Sequence, residues 1–256
     1  MALEGKTPAL RLFSLLELIA RKDEFVSLKG LTEETQVSKA TLHRMLSQLE
    51  EGGLLVRHSD GRHYGTGARL RRFAEELLLN ATQHGAQHRV LLRLVEELGE
   101  TCNITALSGG EVIYLDRVET PRPLRFSLRP GSRVPLHCTA SGKMFLAQLT
   151  RSQLRTLLAH APLQRHTDRT LTDLDDLERH LEQVRQDGFA VDDEEYLPGL
   201  ICVAVPVSDA HGHSNLCVSV QAPAVRLTSG ESSRVLPALR RAARAIGDVE
   251  AEGSRD

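Results

Sequence analysis

Tryptophan is absent, and six phenylalanines and three tyrosines are the only aromatic residues among 256. A ligand pocket in this chain has few rings to stack on, which favours a small polar ligand over a planar aromatic one. Cysteine is scarce too. Cys102, Cys138, Cys202 and Cys217 form no C-x-x-C pair, which excludes a disulfide scaffold and the usual zinc spacings. No metal site and no cofactor are expected. No apolar run approaches the roughly 20 residues that cross a bilayer. The opening MALEGKTPALRLF lacks the basic and apolar stretches of a signal peptide, so a reducing cytoplasm and no membrane partner are expected. Net charge is small as well, −2, which taken alone speaks against nucleic acid.

What is present changes that reading. The apolar fraction of 41% is normal and supplies a packed core for one large or two ordinary domains. The charge is divided unevenly. Residues 1–72 hold twelve Lys/Arg against nine Asp/Glu, a net of +3, and the remainder carries −5. Within 38–72, seven basic residues (Lys39, Arg44, Arg57, Arg62, Arg69, Arg71, Arg72) face three acidic ones (Glu50, Glu51, Asp60). Such asymmetry points to a nucleic-acid-binding segment.

The hydrophobic spacing agrees. Leu12, Leu15, Leu16 and Ile19 predict an amphipathic helix over 8–21, with Pro8 at its first position. Ser27 caps a shorter helix over 27–35, with Leu28 and Leu31 inward. Ser38 caps a third helix whose inward residues are Leu42, Met45, Leu46 and Leu49, ending at Gly52 and Gly53. LLVRHSDGRHYGTG reads as two strands around Ser59-Asp60-Gly61. Three helices and a hairpin describe a winged helix-turn-helix. The outward face of the third helix carries Lys39, Ala40, Thr41, His43, Arg44 and Ser47, slender or donor-rich as a major-groove reader requires. Arg57, His58, Arg62 and His63 stand near the hairpin tip, suited to phosphates. The bland alternative is a small helical subdomain that binds no DNA.

A linker helix is predicted over 68–84 and a further one over 87–98, stopped by Gly99. Beyond it lie a Gly109-Gly110 hairpin, a candidate strand over 124–128, helices within 141–160 and over 173–187, strands over 189–193, 201–209 and 216–223, and a helix over 231–249. These describe an α+β second domain with a mixed or mostly antiparallel sheet. On 201–207, Ile201, Val203, Val205 and Val207 share one face; Cys202, Ala204 and Pro206 share the other. On 216–222, Leu216, Val218 and Val220 oppose Cys217, Ser219 and Gln221. The bulky faces suit a core. The small or polar faces suit either a pocket wall or a solvated surface. Thr139-Ala140-Ser141-Gly142-Lys143 opens a helix whose first N–H groups can hold a carboxylate. Lys143 reads most simply as a solvated helix residue. Asp192 reads equally as a pocket acid or a solvated loop charge.

These stretches together resemble the IclR-type (isocitrate-lyase-regulator) transcriptional regulators, over about residues 8–248. SKATLHRMLSQLEEGGLL and GRHYGTGARL are similar to that family's recognition helix and wing. LGETCNITAL, EVIYLDRVE, LRFSLRPGSRVPLHCTASGKMFLA and GFAVDDEEYLPGLICVAVPV are similar to its second domain. The resemblance implies a winged helix-turn-helix (1–67), a linker helix (68–84) and a GAF-like effector-binding and oligomerisation domain (85–256). It also implies an effector pocket at Val134, Ala140, Ser141, Asp192, Leu200, Cys202, Ser219 and Gln221. Gln36 departs from the family, which often has Gly in that turn, and Cys138 and Ser141 replace small apolar residues beside Gly142. The expected partners are an operator in double-stranded DNA, most simply a palindrome, a small effector such as an organic acid, and further copies of the chain in a homodimer or dimer of dimers. The linker's Leu70, Phe73, Leu77 and Leu78 suit that pairing. The alternative is a small-molecule sensor whose first domain binds a protein. His137-Cys138, Cys202 and His211 or His213 are available for nucleophilic chemistry, but adjacent strand residues point oppositely, so His137 and Cys138 form no expected pair, and no phosphate loop or nucleophile elbow is present. No enzyme activity is expected.

Overall fold

The computed structural model describes residues 7–22, 25–82, 85–126, 128–159, 163–207 and 215–253, with side chains excepted at 78–82 and 252–253. The chain divides into two compact units, Met1–Leu77 and Leu78–Asp256.

The first unit runs α1 (Pro8–Ala20), β1 (Val26–Ser27), α2 (Leu28–Thr35), α3 (Lys39–Glu51), β2 (Leu55–Arg57), β3 (His63–Thr66) and the start of α4 (Ala68–Thr82). Each of the first three helices begins where a hydroxyl accepts a first-turn N–H: Thr7 from Leu10, Ser27 from Gly30 and Ser38 from Thr41. Their apolar stripes meet in one core of Leu15, Leu16, Leu18, Ile19, Leu31, Leu42, Met45, Leu46 and Leu49, closed by Leu55 and Tyr64. Leu12 and Leu28 pack on its margin. The sheet has three strands in the order β1-β3-β2. The two-residue β1 is too short to leave a periodic signal, so only the hairpin was legible in sequence. Between α2 and α3 the turn passes through Gln36 at φ 59°, ψ 15°, a left-handed position that costs a non-glycine residue about 1–2 kcal/mol. The Gln36 amide donates to the Glu33 carbonyl at 2.7 Å, a local bond that offsets part of that cost.

The second unit runs α5 (Ala86–Leu98), β4 (Thr101–Ser108), β5 (Glu111–Val118), β6 (Arg133–Val134), α6 (Ala140–Ala147), α7 (Arg151–Leu158), α8 (Leu174–Asp187), β7 (Ala190–Asp193), β8 (Leu200–Val207), β9 (Leu216–Pro223), a 3-10 turn (Ser229–Glu231) and α9 (Ser232–Gly253). One sheet, in the order β6-β5-β4-β9-β8-β7, is antiparallel at every described pairing. Gly109 and Gly110, both at positive φ, make the tight turn from β4 to β5. The alternation on β8 and β9 is observed: Ile201, Val203, Val205, Val207, Val218 and Val220 bury one face with residues of α5 and α9. The opposite face, with Leu200, Cys202, Ala204 and Cys217, is buried against α6 and α8.

The expected strand at 124–128 is not formed among its described residues; Ser127 lies outside them. Side chains claim the carbonyls a ladder would need. Arg117 and Gln221 donate to the Phe126 carbonyl and Arg226 to that of Leu124. The edge beside β5 is taken by β6 instead. The last helix extends to Gly253, beyond its expected end. The segment 208–214, with His211 and His213, lies outside the described residues.

All eight residues of α6 are buried. Gly142 permits this: a Cβ there would stand 2.2 Å from the Leu136 oxygen and 2.5 Å from its Cα, a clash with backbone that no rotamer relieves. Gly142→Ala gains about 1 kcal/mol of helix propensity but loses more by overpacking. We expect a net destabilisation of about 1–3 kcal/mol, read as a lower denaturation midpoint at unchanged slope.

Candidate functional site

In the first unit, α3 presents Lys39, Ala40, His43 and Arg44 to solvent, with Thr41 half-buried beside them. The Thr41 and Ser38 hydroxyls share a 2.9 Å hydrogen bond that fixes the helix start. At the tip between β2 and β3, the Asp60 carboxylate accepts from the Arg62 and His63 backbone N–H groups at 2.8 and 3.1 Å and meets His63 Nδ1 at 2.5 Å. Those bonds, the Arg62 one foremost, hold the Asp60 carboxyl well below its usual range. Arg57 turns back onto Glu50, Nη2 to Oε2 2.8 Å, and lies 5.0 Å from the Tyr64 ring centre. Thus Arg57 and His63 carry partners from their own unit, while Arg62 extends into solvent. On α4, Phe73 and Leu77 are about half exposed; the side chain of Leu78 is outside the described set.

In the second unit, the N-terminus of α6 opens into a cavity lined by Val112, Tyr114, Val134, Thr139, Ala140, Ser141, Asp192, Tyr196, Leu200, Cys202 and Ser219. Seven of the eight residues expected from the sequence lie in this wall. Gln221 does not. It is buried one step behind, where Asn103 Nδ2 donates to its Oε1 at 3.3 Å. Asn103 also reaches Ser219 Oγ at 3.5 Å and accepts from Arg117 Nη1 at 3.1 Å, so a buried polar chain runs from the cavity toward β5. Val112, Tyr114, Thr139 and Tyr196 were not foreseen in the wall; Val112 and Tyr114 alternate on one strand like any core pair, which hides their place there. The cavity has room for about one water molecule.

The donors here are backbone groups. Thr139 caps α6 by accepting from Gly142 N at 3.3 Å, so the helix leaves the Ala140 and Ser141 N–H groups at the cavity. Thr105 Oγ1 donates to Ser141 Oγ at 2.9 Å and ties the helix start to β4. The acceptors are carboxylates. Asp192 is 1% exposed, which corrects the loop-charge reading. Its Oδ1 accepts from Glu195 N at 2.8 Å and Tyr196 N at 3.2 Å, while its Oδ2 has no partner among the described residues. Burial, reinforced by the nearby Glu195 and opposed by Lys143, raises the Asp192 carboxyl to about 7. Lys143, expected in solvent, is fully buried and forms an ion pair with Glu195. A helix start facing a sheet left no solvent side for it, and a partner 52 positions away in sequence receives its charge.

The four thiols are all buried. Burial pushes each of them up, Cys138 to about 12, so none is a thiolate nucleophile near neutrality. His137 and Cys138 lie in a turn, not on a strand. The expected opposition of their side chains therefore fails, and both converge with His166.

The Asp192 shift has a sign that experiment can read. An acid whose folded pKa exceeds its unfolded value, about 3.9, stabilises the fold while both states are protonated. That contribution is lost as pH rises from about 4 to about 7, because the unfolded chain releases its proton first. Urea denaturation of wild type and Asp192→Asn across this range should show wild type losing on the order of a few kcal/mol relative to the variant. Parallel curves would mean Asp192 is charged throughout.

The two units match two family models in order. The IclR helix-turn-helix domain matches residues 8–59, and the C-terminal domain of the bacterial transcriptional regulator IclR matches residues 82–248. The chain is 42% identical over 243 residues to the probable transcriptional regulator SauR of Cupriavidus necator, spanning 95% of this chain and 96% of that one. It is similar to the crystal structure of Thermotoga maritima IclR, with 29% identity, TM-score 0.62 and coverage of 93% and 96% of the two chains. Its second unit is similar to the inducer-binding domain of the PobR transcription factor from Acinetobacter, a double mutant in complex with 3-hydroxybenzoic acid (29% identity, TM-score 0.59, 62% of this chain and 94% of that). With a helix-turn-helix unit that binds DNA and a C-terminal unit that binds an effector, the chain belongs to the IclR family of bacterial transcriptional regulators.

Proposed function

We propose that this chain acts in the cytoplasm as a homodimer, or dimer of dimers, that reads a palindromic operator and responds to a small organic acid. The effector reading is carried by one juxtaposition: the first-turn N–H groups of Ala140 and Ser141 share a cavity with a buried acid, Asp192, whose Oδ2 has no partner. The N–H groups suit a carboxylate. Asp192 and Ser219 suit a hydroxyl or similar group elsewhere on the same molecule. Val134, Leu200 and Cys202 bound it with apolar surface, and Gln221 acts from behind through Asn103. The 3-hydroxybenzoic acid in the related PobR domain supports the carboxylic-acid class. The buried, raised thiols support a role without catalysis.

On DNA, Lys39, Thr41, His43 and Arg44 reach bases or phosphates from α3, with Ala40 small enough for close approach. Arg62 grips phosphate from the wing. Arg57 and His63 join it by exchanging Glu50 and Asp60 for the backbone. One winged helix reads few base pairs, so two are needed, and the exposed Phe73 and Leu77 of α4 suit pairing with a second copy.

The DNA reading is tested by gel shift of the full chain on the region upstream of its own gene at two salt concentrations. Arg44→Ala should lose about 1–3 kcal/mol of affinity, and Arg62→Ala should lower the salt slope by about 1. Unaltered binding by an Arg44→Ala, His43→Ala double variant removes α3 as the reader. The effector reading is tested separately, by melting the protein with a panel of small carboxylic acids. At least one acid should raise the melting temperature of wild type, and Ser219→Ala should respond less. No response, or an identical one, overturns the placement while leaving the DNA reading intact.

A further inference from the structure

A second cluster lies outside the cavity wall. His137, Cys138 and His166 each offer one ligand atom, and these atoms all lie within 4.8 Å of one another. The spacing of 28 residues between Cys138 and His166 matches no metal motif, which is why the sequence shows nothing. The fold supplies the meeting. His137 and Cys138 stand in the turn that leads into α6, and His166 stands in the segment 163–172 that follows α7. The two segments are joined by a hydrogen bond from His137 Nε2 to the Gln164 carbonyl at 2.9 Å. A carbonyl only accepts, so that nitrogen carries the proton and the other ring nitrogen keeps its lone pair. Metal-ligating histidines are held in this way, by a backbone carbonyl on the far nitrogen. His166 Nε2 is buried with no hydrogen-bond partner among the described residues, and Cys138 is fully buried.

We propose that His137, Cys138 and His166 bind a zinc ion. Two imidazole nitrogens and one sulfur form a donor set suited to this borderline-soft cation. Zn–N bonds of about 2.0–2.1 Å and a Zn–S bond of about 2.3 Å require ligand atoms roughly 3.5 Å apart, which small side-chain rotations reach from the present spacing. On binding, the thiol proton leaves to solvent and the thiolate sulfur binds the ion, while His166 Nε2 gains the partner it lacks. Three protein ligands leave the fourth position to water. The acidic Glu195 offsets the repulsion from Lys143, its ion-pair partner.

The ion would act as a staple. The His166 segment already hangs on the turn after β7, through Thr167 Oγ1 to the Glu194 carbonyl at 2.7 Å and Thr170 Oγ1 to the Glu195 carbonyl at 2.6 Å. His166 also packs on Tyr196, ring centres 5.3 Å apart, and Tyr196 lines the cavity. Zinc at this point would pin the entrance to α6 to the segment packed beside the cavity wall.

The full-length chain, stripped with a chelator, is titrated with Co2+ and then with Zn2+. Wild type should take up about one Co2+ per chain, with the intense visible bands of a tetrahedral site and a thiolate-to-cobalt charge-transfer band, both lost when Zn2+ displaces it. Cys138→Ala should lose the charge-transfer band. His166→Gln, which removes the ligand but keeps a polar side chain at a partly exposed position, should weaken uptake by about tenfold or more. Zn2+ should raise the melting temperature of wild type and not that of His166→Gln; circular dichroism without metal verifies the fold of both variants. The site is overturned if wild type binds no stoichiometric Co2+. It is equally overturned if the folded His166→Gln variant binds Co2+ as wild type does.

Discussion

The sensor unit is organised around a buried ion pair. Lys143 sits on a helix with no exposed face, and its ammonium is wholly out of water against Glu195. Removing either member strands a charge in low dielectric, at a cost of about 3–5 kcal/mol. The pair itself adds little net stability compared with an apolar replacement; what it fixes is position. Glu195 belongs to the turn after β7, and its own N–H holds Asp192 Oδ1. Lys143 follows Gly142, whose lack of a Cβ lets α6 press on Leu136. One charge pair therefore sets the distance between the helix N-terminus, which offers donors, and Asp192, which offers acceptors.

The first unit shows the opposite treatment of charge. Its described cations are at the surface, and local ion pairs there shape the helix-turn-helix unit. Glu50 draws Arg57 over Tyr64, and Asp60 closes the wing tip around Arg62 and His63. Lys39, His43 and Arg44 stand on the exposed face of α3. A net charge near zero was uninformative because it summed a basic stretch of +3 over residues 1–72 and an acidic remainder of −5.

What the sequence disclosed follows from which physical signals are local. The stripe Leu42, Met45, Leu46, Leu49 and the alternation Ile201 to Val207 report one-sided burial, and both became core. Caps at Ser27 and Ser38 were legible because the hydroxyl and the N–H it accepts lie three residues apart. Lys143 and Asp192 were not settled, since the burial of a charge depends on partners distant in sequence. Seven of the eight effector candidates share one cavity wall, and Tyr114, which stands in the same wall, was not foreseen because an aromatic in an apolar strand looks the same in a core and in a pocket. The segment 124–128 had the composition of a strand but gave its carbonyls to Arg117, Gln221 and Arg226, a competition that no window of sequence contains.

The small size of the cavity constrains how an effector can act. With room for about one water, an organic acid can enter only if part of the wall moves, and a ligand shifts an equilibrium only by its preference for the moved state. The sheet side is the stiff one: Cys202, Ser219 and their neighbours are locked in a six-stranded ladder with a full core behind it. Asp192 belongs to the edge strand β7, but the turn that follows it, with Glu195 and Tyr196, is held by discrete polar contacts, among them the Lys143 pair, the two threonine hydroxyls and the Arg169–Glu194 pair. Such contacts break and re-form singly, whereas a ladder yields only as a whole. On the proposed placement, the ligand's anionic end meets α6 and its other end meets Asp192, so entry pulls on the Lys143–Glu195 pair, whose Glu195 N–H also holds Asp192. Effector binding and the geometry of α6 are then coupled through Lys143, at the point where the fold has the least freedom to leave a charge unpaired.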